Sequence, residues 1–86
     1  MLDLSRLFRR LDRLGLPGCC KDLAKAIAQA TERGSTLRMS EESFQTGTDS
    51  RPLVEHGFIH WVPDSKKRDP KKGAVRFTEK AERLIS

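Results

Sequence analysis

The sequence has no tyrosine, a single tryptophan and only two cysteines, and its apolar residues never gather into a long run. Each shortage removes a class of protein. No stretch approaches the roughly 20 apolar residues that a helix needs to cross a bilayer. Cys19 and Cys20 are neighbours, and adjacent residues do not reach the Cα separation of an unstrained disulfide, so reduced thiols are expected rather than a secreted scaffold. They form no Cys-x-x-Cys pair and chelate poorly, so neither a redox motif nor a zinc site with His56 and His60 is expected; no cofactor and no metal is expected. With so few aromatics, Trp61 reads as a packing residue, not as part of a stacking platform for single strands. There is no glycine-rich phosphate loop, and neither histidine has a nucleophile beside it. The chain is not expected to be an enzyme.

What the sequence does contain is charge, 17 Lys and Arg against 12 Asp and Glu, for a formal net charge of +5 in 86 residues. A basic balance favours an anionic partner without choosing among nucleic acid, membrane surface and acidic protein. The length suits one domain, 1–86. The N-terminus alternates leucine with arginine and aspartate, unlike the continuous apolar segment of a signal peptide. A cytoplasmic, nucleoid-associated protein is expected.

Hydrophobic spacing predicts a helix over Leu2–Leu14, with Leu4, Leu7, Leu11 and Leu14 on one stripe, Phe8 beside it, and Arg6, Arg9, Arg10 and Arg13 largely off it. The stripe has two readings: packing on the domain's own helices, or a symmetric dimer seam made by Leu4, Leu7, Leu11 and Leu14. A membrane-surface role, which the four arginines would suit, is disfavoured because that helix lacks an anchor such as tryptophan. Leu16-Pro17-Gly18 breaks it, and a second helix is predicted from about Cys20 to Arg33, stopped by Gly34. A short strand follows over Ser35–Met39. Ser40 caps a brief helix through Gln45, Thr46-Gly47-Thr48 turns, and a further helix capped by Thr48 or Asp49 tolerates Pro52 in its first turn and ends at Gly57. Phe58–Val62 and Ala74–Phe77 are predicted strands around a polar loop, and Thr78 caps a closing helix over Glu79–Ile85.

The C-terminal half carries Glu55-His56-Gly57-Phe58-Ile59, then Arg68-Asp69-Pro70-Lys71-Lys72-Gly73, then Val75-Arg76-Phe77-Thr78-Glu79-Lys80-Ala81. This order resembles the MarR-type and related bacterial winged-helix regulators over about Leu37–Ser86. The resemblance implies a winged helix-turn-helix, mainly α with a small antiparallel β-hairpin. Its core would span 20–86, its wing 63–73, and residues 1–15 would form an extra N-terminal helix. It implies a homodimeric regulator of transcription or of a mobile element that binds double-stranded DNA.

Residue chemistry points the same way. Five cations among the seven residues Lys66–Lys72 concentrate charge on the hairpin, where Lys66, Lys67, Lys71 and Lys72 suit the phosphate backbone and Arg68 a narrow minor groove. Arg76 adds to them. Thr48, Ser50 and Arg51 at the start of the preceding helix have side chains that reach phosphates and base edges, although Thr48 and Ser50 serve equally as caps. Gln45 and Arg38 are weaker candidates. The rival reading is a winged-helix module whose basic hairpin meets an acidic protein within a nucleic-acid-processing complex, because fold alone does not settle function. Little interior space for a small-molecule effector is expected.

Overall fold

The computed structural model describes residues 2–63 and 72–85. Among the described residues, five helices and three strands follow the order α1 (Ser5–Arg13), α2 (Gly18–Glu32), β1 (Leu37–Ser40), α3 (Glu41–Thr46), α4 (Arg51–Glu55), β2 (Ile59–Pro63), β3 (Lys72–Phe77) and α5 (Glu79–Glu82). The result is a small α+β domain. No helix among the described residues is long and apolar enough to cross a membrane.

α1 and α2 form an antiparallel pair. At one end the Leu2 amide donates to the Glu32 carboxylate, and at the other Lys21 pairs with Asp12. The Asp3 carboxylate accepts from the Ser5 amide at 2.9 Å, and this backbone bond is the main cause holding its pKa below the usual value. α2 begins two residues earlier than its apolar pattern suggests, because Pro17 occupies the cap position, where no amide donor is needed. It ends as expected at Gly34, whose φ of +72° is the left-handed conformation that closes a helix.

The leucine stripe faces inward. Leu7 and Leu11 are fully buried, in one core with Leu23, Ile27, Phe58 and Val75. Leu7 and Leu11 therefore leave the set of expected dimer contacts, since a leucine with no exposed surface in its own chain has none to offer a second copy. Leu4 is half-buried against the same core, and Leu14 is 40% exposed beyond the end of α1.

The strands form one antiparallel sheet in the order β1-β3-β2. β1, expected as a short strand over Ser35–Met39, pairs with β3 from Leu37↔Val75 to Ser40↔Lys72. β2 and β3 pair from Ile59↔Phe77 to Pro63↔Gly73. Strand alternation turns Leu37, Ile59, Trp61, Val75 and Phe77 toward the helices and Arg38, His60, Lys72 and Arg76 outward. Pairing reaches further along the hairpin than expected. Pro63, Lys72 and Gly73, assigned to the wing, are strand residues. The closing helix is shorter than expected, four residues instead of seven, and Leu84 and Ile85 pack on the core beyond its end.

Cys20 is wholly buried, and burial pushes its thiol pKa up to about 11, helped by the adjacent Cys19 and by Asp49. The folded value lies above the ordinary 9.0, so the neutral thiol contributes its stability fully below pH 9.0 and loses it as pH rises toward about 11. Cys19 is partly exposed. Iodoacetamide at about pH 8.5 is therefore expected to modify Cys19 alone in the native protein and both thiols in denaturant, read by peptide mass spectrometry. Equal native labelling of Cys20 would contradict its placement in the core.

Candidate nucleic-acid interface

The corner between α3 and α4 is built from short-range contacts. Ser40 caps α3, its Oγ accepting from the Ser43 amide at 3.1 Å, and Glu41 and Glu42 occupy the first turn. Phe44 anchors α3 in the core and Leu53 anchors α4. Between them Gly47 passes so tightly that an added Cβ would stand 2.7 Å from both the Ser43 carbonyl and the Ser50 hydroxyl. Ser50 is fully buried, and its Oγ donates to the Phe44 carbonyl at 2.7 Å, with the Ser43 carbonyl at 3.3 Å. Ser50 therefore leaves the set of expected DNA contacts. Its hydroxyl serves the Phe44 carbonyl near the C-terminus of α3, while the Ser43 carbonyl also accepts from the Gly47 amide at 2.9 Å.

α4 is prolonged at its start by a helical turn. The Arg51 amide donates to the Gly47 carbonyl and the Val54 amide to the Ser50 carbonyl, both at 2.9 Å and both with α-helical spacing. Pro52 lacks the amide that would serve the Thr48 carbonyl in this ladder, and the Cys19 thiol lies 3.8 Å from that oxygen. The start of α2 is thus tied to the start of the α4 segment. Thr48 and Arg51 are exposed here, as expected. Arg51 is held along the helix by Glu55, at 3.0 Å. Gln45 is also exposed, with its amide 3.2 Å from Glu41.

Two stretches far apart in the chain meet at the end of α4. Thr78 Oγ1 donates to the Gly57 carbonyl, the Thr78 amide donates to the Phe58 carbonyl at 2.9 Å, and Lys80 Nζ donates to the His56 carbonyl at 2.9 Å. The Lys80 ammonium also lies 5.1 Å from the centre of the Phe58 ring, within cation–π range. Gly57 makes the turn with a φ of +74°. His56-Gly57-Phe58 and Thr78-Glu79-Lys80 are therefore two halves of one structural joint between α4, β2 and α5.

A second joint lies at the base of the hairpin. The Trp61 indole leaves β2, passes over Gly73 on β3 and donates from Nε1 to the Met39 carbonyl on β1 at 2.9 Å. One side chain thereby links all three strands. Sequence reading missed this role. The signal, a glycine inside a strand where something approaches the backbone closely, was hidden because Gly73 reads as the last residue of the loop.

The expected contact residues fall into separate groups. Thr48 and Arg51 lie on the α4 segment. Lys72 and Arg76 lie on the outward face of the sheet with Arg38 and His60, and Arg76 stands opposite His60 in register. Lys66, Lys67, Arg68 and Lys71 lie outside the described residues. An open surface cleft of about 420 Å³, lined by Leu2, Thr31, His60, Arg76, Phe77, Glu82 and Ile85, adjoins the sheet. Among the described residues, no three metal-ligating side chains converge. Comparison with protein-family models, with curated proteins and with solved structures finds no match to this chain.

Proposed function

We propose that this chain is a non-enzymatic winged helix-turn-helix protein that binds double-stranded DNA as a regulator of transcription or of a mobile element. The α4 segment would enter the major groove, and the basic connection between β2 and β3 would rest on the flanking backbone or minor groove. The observation that carries this reading is topological. The order α2, β1, α3, α4, β2, β3, with β3 central in the sheet, sets a helix–turn–helix corner directly ahead of a two-stranded hairpin. The connection on that hairpin bears most of a cluster of five cations, in a chain with net charge +5. DNA carries about one charge per 1.7 Å of axis, and cations that displace its counterions give binding that weakens with salt. Thr48 and Arg51 are the exposed side chains with which the α4 segment would reach the groove.

The test is fluorescence anisotropy on a labelled duplex between about 50 and 200 mM salt. The wild-type protein is expected to bind with a steep negative salt slope. Replacing Lys66, Lys67, Lys71 and Lys72 with alanine is expected to reduce that slope by roughly 0.9 for each phosphate no longer neutralised, on every sequence tested. Absence of duplex binding, or a slope untouched by the four substitutions, would overturn the reading.

A further inference from the structure

The charges of α1 take no part in the interface just described. Arg6, Arg9, Arg10 and Arg13 are all exposed, and at 3.6 residues per turn they fall within about 100° of arc, roughly opposite Leu7 and Leu11. Among the described residues none of the four makes a side-chain hydrogen bond or an ion pair. The one acidic residue on α1, Asp12, is engaged by Lys21. The stripe holds four like-charged pairs at spacings of three and four residues (6 with 9, 6 with 10, 9 with 13, 10 with 13), each of which disfavours the helix. Arg10 and Arg13 gain from the negative end of the helix dipole, but Arg6 stands in the first turn, where a cation is unfavourable, and the one acid at that end, Asp3, lies ahead of the helix, bonded to the Ser5 amide and attracted by Arg9. A local arrangement that works against its own helix needs a reason outside folding.

Its position supplies one. The end of α1 bearing Arg13 runs through residues 14–17 into the start of α2. There the Cys19 thiol meets the Thr48 carbonyl of the α4 segment. The stripe thus leads away from the end of the molecule where the groove-facing helix begins. It spans eight residues, about 10 Å, comparable to the separation of a few phosphates along one strand. All four side chains are guanidinium groups, whose fork of donors matches a phosphate two bonds at a time and stays charged at any physiological pH.

We propose that the arginine face of α1 is a second phosphate-binding surface, which grips the backbone of the same DNA duplex beyond the reach of α4 and the β2–β3 hairpin. This inference rests on the duplex-binding reading above. The two are separable because each has its own set of cations.

The experiment compares the wild-type protein with the variant Arg6→Gln, Arg9→Gln, Arg10→Gln, Arg13→Gln on a random-sequence duplex of about 24 base pairs. The variant is expected to bind at least about tenfold more weakly near 100 mM salt, with a slope reduced by roughly 0.9 per phosphate that the arginines had neutralised. Its melting temperature is expected to stay level or rise, because the repulsive pairs are gone. Unchanged affinity and slope would overturn the inference, and so would a lowered melting temperature, which would make the arginines structural. Arginine-dependent binding to phosphatidylserine vesicles with an unaltered duplex slope would also overturn it, in favour of a lipid surface. If the wild-type protein binds no duplex, both readings fail. If it binds and only the lysine substitutions change the slope, this one alone fails.

Discussion

Replacing Leu11 with alanine is expected to cost about 2–5 kcal/mol of folding stability. Leu11 has no exposed surface and belongs to the core that joins α1 to α2 and to the sheet. Truncation removes the transfer free energy of its buried carbons and leaves a cavity that the flanking helices close only in part. A domain of this size has a total stability on the order of 4–13 kcal/mol, so the loss is a large fraction of the whole. Urea unfolding followed by circular dichroism measures it. Leu14→Ala is the control, because Leu14 keeps 40% of its surface in solvent and its change is expected to stay within about 0.5 kcal/mol. The pair also separates cis packing from a dimer seam. Under cis packing, the unfolding midpoint does not depend on protein concentration. Under a seam it rises with concentration, and Leu11→Ala abolishes that rise. A Leu11→Ala protein as stable as wild type would show that α1 does not pack as described.

Gly73→Ala is expected to be the most damaging single methyl group that can be added to the sheet. The new Cβ would lie 2.5 Å from the Val62 carbonyl oxygen and 2.6 Å from Cζ2 of Trp61. One neighbour is backbone and the other is a ring held by its bond to Met39, so neither yields without disrupting its own packing. Overpacking of this kind costs about 1–3 kcal/mol, and release of the indole adds the loss of a half-buried hydrogen bond. Trp61 is the only tryptophan and the chain has no tyrosine, so intrinsic emission reports this joint alone. The alanine variant is expected to show red-shifted emission and easier acrylamide quenching, together with a lower unfolding midpoint. Wild-type emission and stability in Gly73→Ala would remove the joint from the account. Because the joint fastens β2 to β1 across β3, its disruption is also expected to loosen the strands that carry Lys72 and the connection beyond it.

Much of the element order was legible because it depends on neighbours in the chain. Ser40 and Thr78 each cap the helix that follows them, and Gly34 and Gly57 take the left-handed conformation their turns need. Pro52 is tolerated because it falls in the first turn of α4. Errors arose where a residue answered to something distant. Ser50 is a good groove contact by type, yet the C-terminal carbonyls of α3 claim its hydroxyl. The leucines of α1 have a spacing that serves a coiled coil as well as a core, and only the position of α2 shows that Leu7 and Leu11 belong to the core. The hairpin strands were drawn too short because Gly73 and Lys72 look like loop residues until Pro63 and Ser40 are placed opposite them.

Local chemistry in the chain was enough to set the helix limits to within a few residues, the caps Ser40 and Thr78, the excess of positive charge and the four-arginine stripe on α1, since each depends on spacing of a few residues and on side-chain type. The cap expected from Thr48 or Asp49 is not made, as α4 starts after Ser50 with no side-chain cap. The strand order, the inward turn of Leu7 and Leu11, the burial of Ser50, the passage of Trp61 over Gly73 and the meeting of His56-Gly57-Phe58 with Thr78-Glu79-Lys80 were decided only in three dimensions. Those contacts join residues up to several tens of positions apart. Which of many chemically acceptable partners a side chain meets is settled by the packing of the whole domain around one core.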